Sequence, residues 1–256
     1  MKFPKTIRYK SFDQDFAETR NQDFHLPENY QWTHSNPFYR FFAMCFYPIV
    51  VLFSLCYLKL TAHITIKNRY LLRHAREGYF LYVNHTQWFG DVVNPFVLTF
   101  AKHPYIICSP ANLGIPIIGK ALPTAGALPI PDNLHDMKKL NDAIEKRIKQ
   151  KKAIVVYPES HMWPYYTGVR PFNPAAFHYP AKLHTPIYVA TTTYKKSIYP
   201  WRKKPKITIY IDGPFYDDED APRKQNINDL MRYVQLTMKR RCKHSTYEYI
   251  KYKQKS

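Results

Sequence analysis

A chain of 256 residues is long enough for one large domain or two small ones, each with a substantial core. Its 38 Lys and Arg against 19 Asp and Glu give a net charge of +19, which selects anionic partners: nucleic acid, acidic lipid headgroups or a phosphate-bearing carrier. No RNA-recognition signature, zinc-ligand spacing or compact basic helix is present, so no nucleic acid is expected as a partner.

Residues 1–36 are polar, carry both signs of charge, and read as a lead of irregular or short helical structure. From Phe41 to Leu58 the chain has no charge, and as a helix this run spans ~27 Å, close to a bilayer's hydrocarbon thickness. Arg40 and Lys59 bracket it, while Tyr39, Tyr47 and Tyr57 offer interfacial rings. It begins too far from the N-terminus for a cleaved signal peptide. Apolarity all round argues for a membrane-associated helix within 37–62 rather than a core helix. Pro48 leaves open whether it spans the bilayer or bends into a re-entrant or in-plane segment. Lys59, Lys67, Arg69, Arg73 and Arg76 crowd its C-terminal flank, placing the following domain on the cytoplasmic side. Cys45, Cys56, Cys108 and Cys242 lack C-x-x-C spacing, as in a reducing compartment rather than a disulfide framework.

Beyond the apolar run, strand patterns alternate with helical ones. Strands are expected at His63–Ile66, Tyr79–Val83, Tyr105–Cys108, Ala153–Tyr157, Ile187–Thr192 and Ile207–Ile211. Asn133 caps a helix whose apolar residues are Leu134, Met137, Leu140, Ile144 and Ile148, and Asp91–Phe100 opens another helix or turn interrupted by Pro95. The alternation predicts an α/β domain over 63–215, a mixed sheet flanked by helices. Residues 216–256 form an amphipathic helix with Leu230, Tyr233, Val234, Thr237 and Met238 on one face, then a basic tail. That tail reads as a solvated end or as a clamp on anionic lipid.

The chemistry concentrates in residues 79–91. A strand, Tyr79–Val83, breaks into Asn84-His85, and Asp91 follows six positions after the histidine. A strand-end histidine with a carboxylate nearby presents a general base: the imidazole takes a proton and the carboxylate fixes its tautomer. No Ser or Cys sits in an elbow such as G-x-S-x-G, so the base would activate a substrate hydroxyl. Asn84-His85-Thr86 also matches a glycosylation sequon, taken here as chance. The pairs His161/His178 and His178/His184 match no common ligand spacing, and no metal is expected.

This stretch resembles the first motif of the glycerolipid acyltransferases, the lysophosphatidic acid acyltransferase family, in which Asn-His is followed by four residues and Asp. Here five residues intervene, and Gly90 offers the backbone freedom to absorb the extra one. Val155–Ser160 resembles the family's third motif, a strand running into Pro-Glu-Gly-Thr-Arg, with Pro158 and Glu159 matched and Ser160, His161 and Met162 replacing Gly, Thr and Arg. Arg170–Ala176 and Thr185–Val189 resemble the segments that follow. In the second motif, Gly114–Gly119 and Gly126–Ile130 match a glycine-punctuated approach to a short strand, but the closing arginine falls near Asp132.

The resemblance implies a membrane-associated O-acyltransferase that moves a fatty acyl group from a thioester, acyl-CoA or acyl carrier protein, to a lipid hydroxyl. No tightly bound cofactor is implied. His85 is the implied base and Asp91 its orienting partner. Asn84, Pro158, Glu159, Ser160 and Arg170 form the implied substrate-binding set, with Arg170 or the many lysines as stand-ins for the two missing phosphate-binding arginines. Those losses equally suit an inactive membrane-surface protein of the same fold that binds anionic lipid.

Overall fold

The computed structural model describes residues 5–16, 23–99, 102–199 and 201–255. In chain order the elements are β1 (Thr6–Tyr9), α1 (Pro37–Cys56) running into a π-helical turn (Tyr57–Ala62), β2 (Thr65–Lys67), α2 (Tyr70–Arg73), β3 (Tyr79–Val83), α3 (Gly90–Leu98), β4 (Pro104–Cys108), α4 (Ile118–Ala125), β5 (Ala127–Pro129), α5 (Leu134–Lys149), β6 (Ala153–Val156), α6 (His178–Leu183), β7 (Ile187–Lys195), β8 (Lys206–Phe215), α7 (Arg223–Cys242) and β9 (Lys251–Gln254).

Seven strands form one mixed sheet in the order β2-β8-β7-β3-β6-β4-β5, in which only the β7–β8 pair is antiparallel. β3 lies at its centre and is buried on both faces, as its uninterrupted apolar run requires. Phe80 and Tyr82 point to one face, packing with Leu140 and Ile144 of α5 and with Leu230, Val234 and Met238 of α7. Leu81 and Val83 point to the other, with Leu72 of α2 and Leu98 of α3. The result is three layers, helix–sheet–helix, the mixed α/β architecture expected from the alternation.

α1 lies outside α3 and α4, packing on them through Phe46, Tyr47, Val50 and Val51, which meet Phe96 and Ala125. Its other side is bare: Phe38, Phe41, Phe42, Met44, Ile49, Leu52 and Phe53 are all more than half exposed. With the π-helical turn it is the one described helix long and apolar enough to cross a membrane. The helix continues through Pro48.

Four expectations change. The lead contains β1, which pairs in parallel with β9 from the far end of the chain, and residues 5–16 carry an aromatic cluster rather than short helix. Trp163 is fully buried there, its ring centroid 4.7 Å from Tyr9, 5.6 Å from Phe12 and 4.8 Å from Tyr252, and its indole N–H donates to the Gln14 carbonyl (2.7 Å). The C-terminal tail is not simply solvated. Arg241 holds Asp212 of β8 through Nε (2.8 Å) and Nη2 (2.6 Å), and residues 251–254 form β9. Tyr233, placed on the buried face of α7, is 44% exposed.

Last, α3 is not interrupted at Pro95 but runs to Leu98; Phe100 lies outside the described residues. A proline inside a helix leaves the carbonyl four residues earlier without its partner. That carbonyl belongs to Asp91, and it accepts the Tyr157 hydroxyl at 2.5 Å instead.

Trp163 therefore ties both chain ends to the segment that follows β6. Trp163→Ala should destabilise the fold by about 3–5 kcal/mol, the usual cost of emptying a buried aromatic site. Denaturant unfolding of the purified protein measures it; a loss below about 1 kcal/mol would show that the cluster is not part of the core.

Candidate active site

β3 and β6 are parallel neighbours, so the segments leaving their C-terminal ends emerge side by side. One carries Asn84-His85 and the other Tyr157-Pro158-Glu159. Strand-end loops at the same edge bring together residues 74 positions apart: the His85 backbone N–H donates to Glu159 Oε2 at 3.1 Å. The ring of His85 lies against Tyr157, centroids 4.5 Å apart.

His85 Nδ1 stands 2.8 Å from Asp91 Oδ2. With Nδ1–H donating to the carboxylate, Nε2 carries the lone pair. Asp91 is 3% exposed and His85's side chain 23%, so the carboxylate is sealed while the imidazole reaches solvent. Burial raises the Asp91 carboxyl above its ordinary value, and the bonds from His85 and from the Gln87 and Thr86 amides pull against that rise.

The extra residue of the first motif is absorbed without unusual glycine torsion, since Gly90 is the first residue of α3. Gln87 and Asp91 bond reciprocally, the Gln87 N–H to Asp91 Oδ2 (2.9 Å) and the Asp91 N–H to the Gln87 carbonyl (2.9 Å). Gln87's side chain folds inward and donates to Thr192 Oγ1 at 3.2 Å. Gly90 makes room for it: a Cβ there would stand 2.4 Å from Gln87 Oε1. The surplus length turns outward as Trp88-Phe89, and Phe89 meets Tyr57 beyond the end of α1 at 4.9 Å. Gln87, Thr192 and Tyr157 were not singled out from the sequence. No local spacing marks any of the three: Gln87 and Asp91 stand four apart rather than the three of a capping box, and α3 has no side-chain cap.

Three of the implied substrate-binding residues are turned inward instead. Asn84 is fully buried, and its amide continues the β3–β7 ladder: Nδ2 donates to the Thr192 carbonyl (3.1 Å) and Oδ1 accepts the Thr192 N–H (2.7 Å). Glu159 is buried, bonded to His85 N–H and, through Oε1, to the Arg170 N–H at 2.9 Å. Arg170, also fully buried, pairs with Glu159 at 3.3 Å, bonds the His161 carbonyl and stacks its guanidinium 5.1 Å from the Trp163 ring. It has no access to an acceptor phosphate. Its charge neutralises Glu159.

Pro158 is buried, and Ser160 is exposed with φ of +61°, a left-handed torsion that suits the glycine of the resembling motif. The Ser160 and His161 amides are both engaged, to the carbonyls of Tyr157 (3.1 Å) and Glu159 (2.7 Å). Both N–H groups are thus occupied, and neither is free to hold an oxyanion. At the remaining motif position Asp132 is on the surface, 3.0 Å from His25.

Because the folded Asp91 carboxyl has a raised pKa, its ionisation opposes folding, and that cost fades as pH falls toward 3.8. Asp91→Asn should therefore be at least as stable as wild type at about pH 8, with the advantage shrinking on acidification, while turnover falls roughly 10²–10⁴-fold. Denaturation across pH together with turnover measures both. A stability loss that grows with pH would mean that the ionised carboxylate is net stabilising.

The family model described as Acyltransferase matches residues 63–194. No curated protein matches the chain in sequence. Among solved structures it is similar to the 1-acyl-sn-glycerophosphate (LPA) acyltransferase PlsC from Thermotoga maritima, with 14% identity, a TM-score of 0.57, and coverage of 78% of this chain and 80% of that one. The matched region contains the His85–Asp91 pair, the Pro158-Glu159 turn, β3, β6 and β7 as far as Tyr194, and this chain belongs to the acyltransferase family.

Proposed function

We propose that the protein is an O-acyltransferase working at a membrane surface, on a lipid hydroxyl and a fatty acyl thioester. The observation that carries this reading is the 2.8 Å bond from His85 Nδ1 to the buried Asp91 carboxylate, with the imidazole still open to solvent. His85 Nε2 takes the proton of the acceptor hydroxyl as its oxygen attacks the thioester carbonyl. The C–O bond forms, the C–S bond breaks, and the same nitrogen returns the proton to the departing thiolate. Asp91 holds the ring's tautomer and stabilises the imidazolium between those steps. The donor is acyl-CoA or acyl carrier protein, whose thioester already activates the acyl group. Family membership favours this reading over an inactive lipid-binding protein of the same fold, whose support is the two missing arginines.

The acceptor is one that does not depend on an arginine fork for its phosphate. The family's second-motif arginine falls near Asp132, Met162 stands in the third-motif arginine's place, and Arg170 is spent on Glu159. A lysophospholipid with a larger headgroup or a glycolipid suits this site better than glycerol 3-phosphate.

The bare side of α1 supports membrane association. Because α1 packs along α3 and α4 while its outer residues stay exposed, an in-plane helix fits better than a spanning one. Trp88, Val92, Ile117 and Ile118 extend the exposed apolar surface beside it. The basic flank after α1 supports a domain on the cytoplasmic side, where both carriers are found.

Two measurements follow. Thiol release from acyl-CoA and acyl carrier protein, screened over glycerol 3-phosphate, lysophosphatidic acid, lysophospholipids and glycolipids, should show a preferred acceptor that is neither of the two phosphate monoesters, glycerol 3-phosphate and lysophosphatidic acid. His85→Ala should lose about three orders of magnitude or more. Near-normal turnover by the folded variant would end the base assignment, and a preference for glycerol 3-phosphate or lysophosphatidic acid would end the acceptor argument. Ile49→Asp with Leu52→Asp, both outward on α1, should leave folding intact and sharply reduce flotation with vesicles; undiminished flotation would remove α1 as the membrane contact.

A further inference from the structure

At the end of the sheet opposite His85, a cavity of about 770 Å³ opens between the first half of α1, the N-terminal ends of β4 and β5 and the C-terminal end of α5. Lys152 precedes Ala153, which pairs with Tyr79, and His85 lies six residues beyond Tyr79. At ~3.3 Å per strand residue the two ends are ~20 Å apart, so this cavity is no part of the catalytic centre.

Its lining is one-signed. Arg40, Lys102, Lys146, Arg147 and Lys152 contribute, and no Asp or Glu lines it. None of the five forms an ion pair among the described residues. Burial, then the neighbouring Lys151 and Lys152 charges, hold the Lys102 ammonium below its ordinary pKa against the pull of Glu77. Burial and the Arg147 charge do the same to His34.

Three polar atoms of lining residues are buried without a hydrogen-bond partner: the hydroxyls of Tyr39 and Tyr47 and Nε of Arg147. Each is a donor, and an unsatisfied buried donor costs about 1–3 kcal/mol. The Arg147 guanidinium is held in place, 4.5 Å from the Tyr105 ring and bonded through Nη1 to Gln150 at 3.0 Å. His103 is stacked between Tyr47 (4.2 Å) and Tyr105 (4.8 Å). Fixed donors and cations with no carboxylate in the lining surround one void.

We propose that this cavity binds the phosphate headgroup of an anionic glycerophospholipid. Phosphate oxygens would accept from Tyr39, Tyr47 and Arg147, and the lysines would balance the charge. A volume of about 770 Å³ far exceeds what a free phosphate fills and suits a headgroup with its glycerol. Met44 lines the cavity and is 65% exposed, and Phe41 is 64% exposed one turn away, so the mouth opens onto the apolar side of α1, where acyl chains lie. The proposal does not rest on the acyl-transfer chemistry.

The test titrates soluble dihexanoyl phosphatidylglycerol, dihexanoyl phosphatidylcholine and inorganic phosphate into the full chain in a neutral detergent. It is repeated in the His85→Ala protein, so that a failed catalytic assignment leaves the binding result standing. Phosphatidylglycerol should bind at least about tenfold more tightly than either other probe. Arg147→Gln with Lys152→Gln should weaken it about tenfold or more, while Lys149→Gln, on the same helix but outside the cavity, leaves it unchanged. Tyr47→Phe should weaken the lipid severalfold while raising the Tm of the lipid-free protein, because it removes an unpaired buried hydroxyl. That combination separates a lost ligand contact from a damaged fold. Equal affinity in wild type and the double variant would overturn the site. Inorganic phosphate binding as tightly as the lipid would overturn the lipid assignment and leave an adventitious anion only.

Discussion

Two buried carboxylates hold His85, Asp91 by its ring and Glu159 by its backbone N–H. Each would be costly alone in an apolar interior. Each is met by donors close in space, in part for Asp91 by the Gln87 amide and the imidazole, and for Glu159 by Arg170 through its side chain and its own amide. The second carboxylate reaches further. Arg170 stacks on Trp163, and Trp163 is caged by β1 and β9 at the two ends of the chain. The position of one imidazole is thus secured by contacts from Tyr9 to Tyr252. Removing a partner from such a pair strands a buried charge, so residues far from any substrate can behave as though they were catalytic.

The sheet was readable in the residues because burial writes itself into composition. β3, β4, β6, β7 and β8 are short runs of β-branched and aromatic residues, and their predicted cores coincide with the observed ones to within a few positions at the ends. The His85–Asp91 pairing was readable as well, since Asp91 opens α3 only six residues after His85. What escaped depends on long-range placement. β1 and β9 are four residues each, mostly exposed, and acquire strand geometry only from each other across the whole chain. Asn84 and Arg170 carry side chains that suit ligands, and nothing local says that Thr192 and Glu159 will occupy them. Pro95 reads as a helix breaker until Tyr157, from β6's far loop, satisfies the carbonyl it orphans.

α1 connects the parts that matter. Its last turn and the π-helical extension touch Phe89 in the His85 loop, its middle packs on α3 and α4, and its first turns wall the basic cavity. From Ala43 to Tyr57 a helix advances ~21 Å, matching the ~20 Å that separates the two ends of the sheet. One rigid apolar rod therefore sets both the height of the histidine and the height of the cationic pocket above whatever surface the rod lies on. Depth and tilt are not independent in such an arrangement.

The burial of Asn84 has a practical consequence. Asn84-His85-Thr86 is an acceptor sequence for oligosaccharide, and sugar attachment is a common means of mapping which side of a membrane a loop faces. In this protein the Asn84 amide is sealed between β3 and β7 and both its polar atoms are engaged on Thr192. Once folded, the site stays unmodified on either side of a membrane. A bare Asn84 is silent about topology, and a glycan found there would report a chain caught before its sheet had closed.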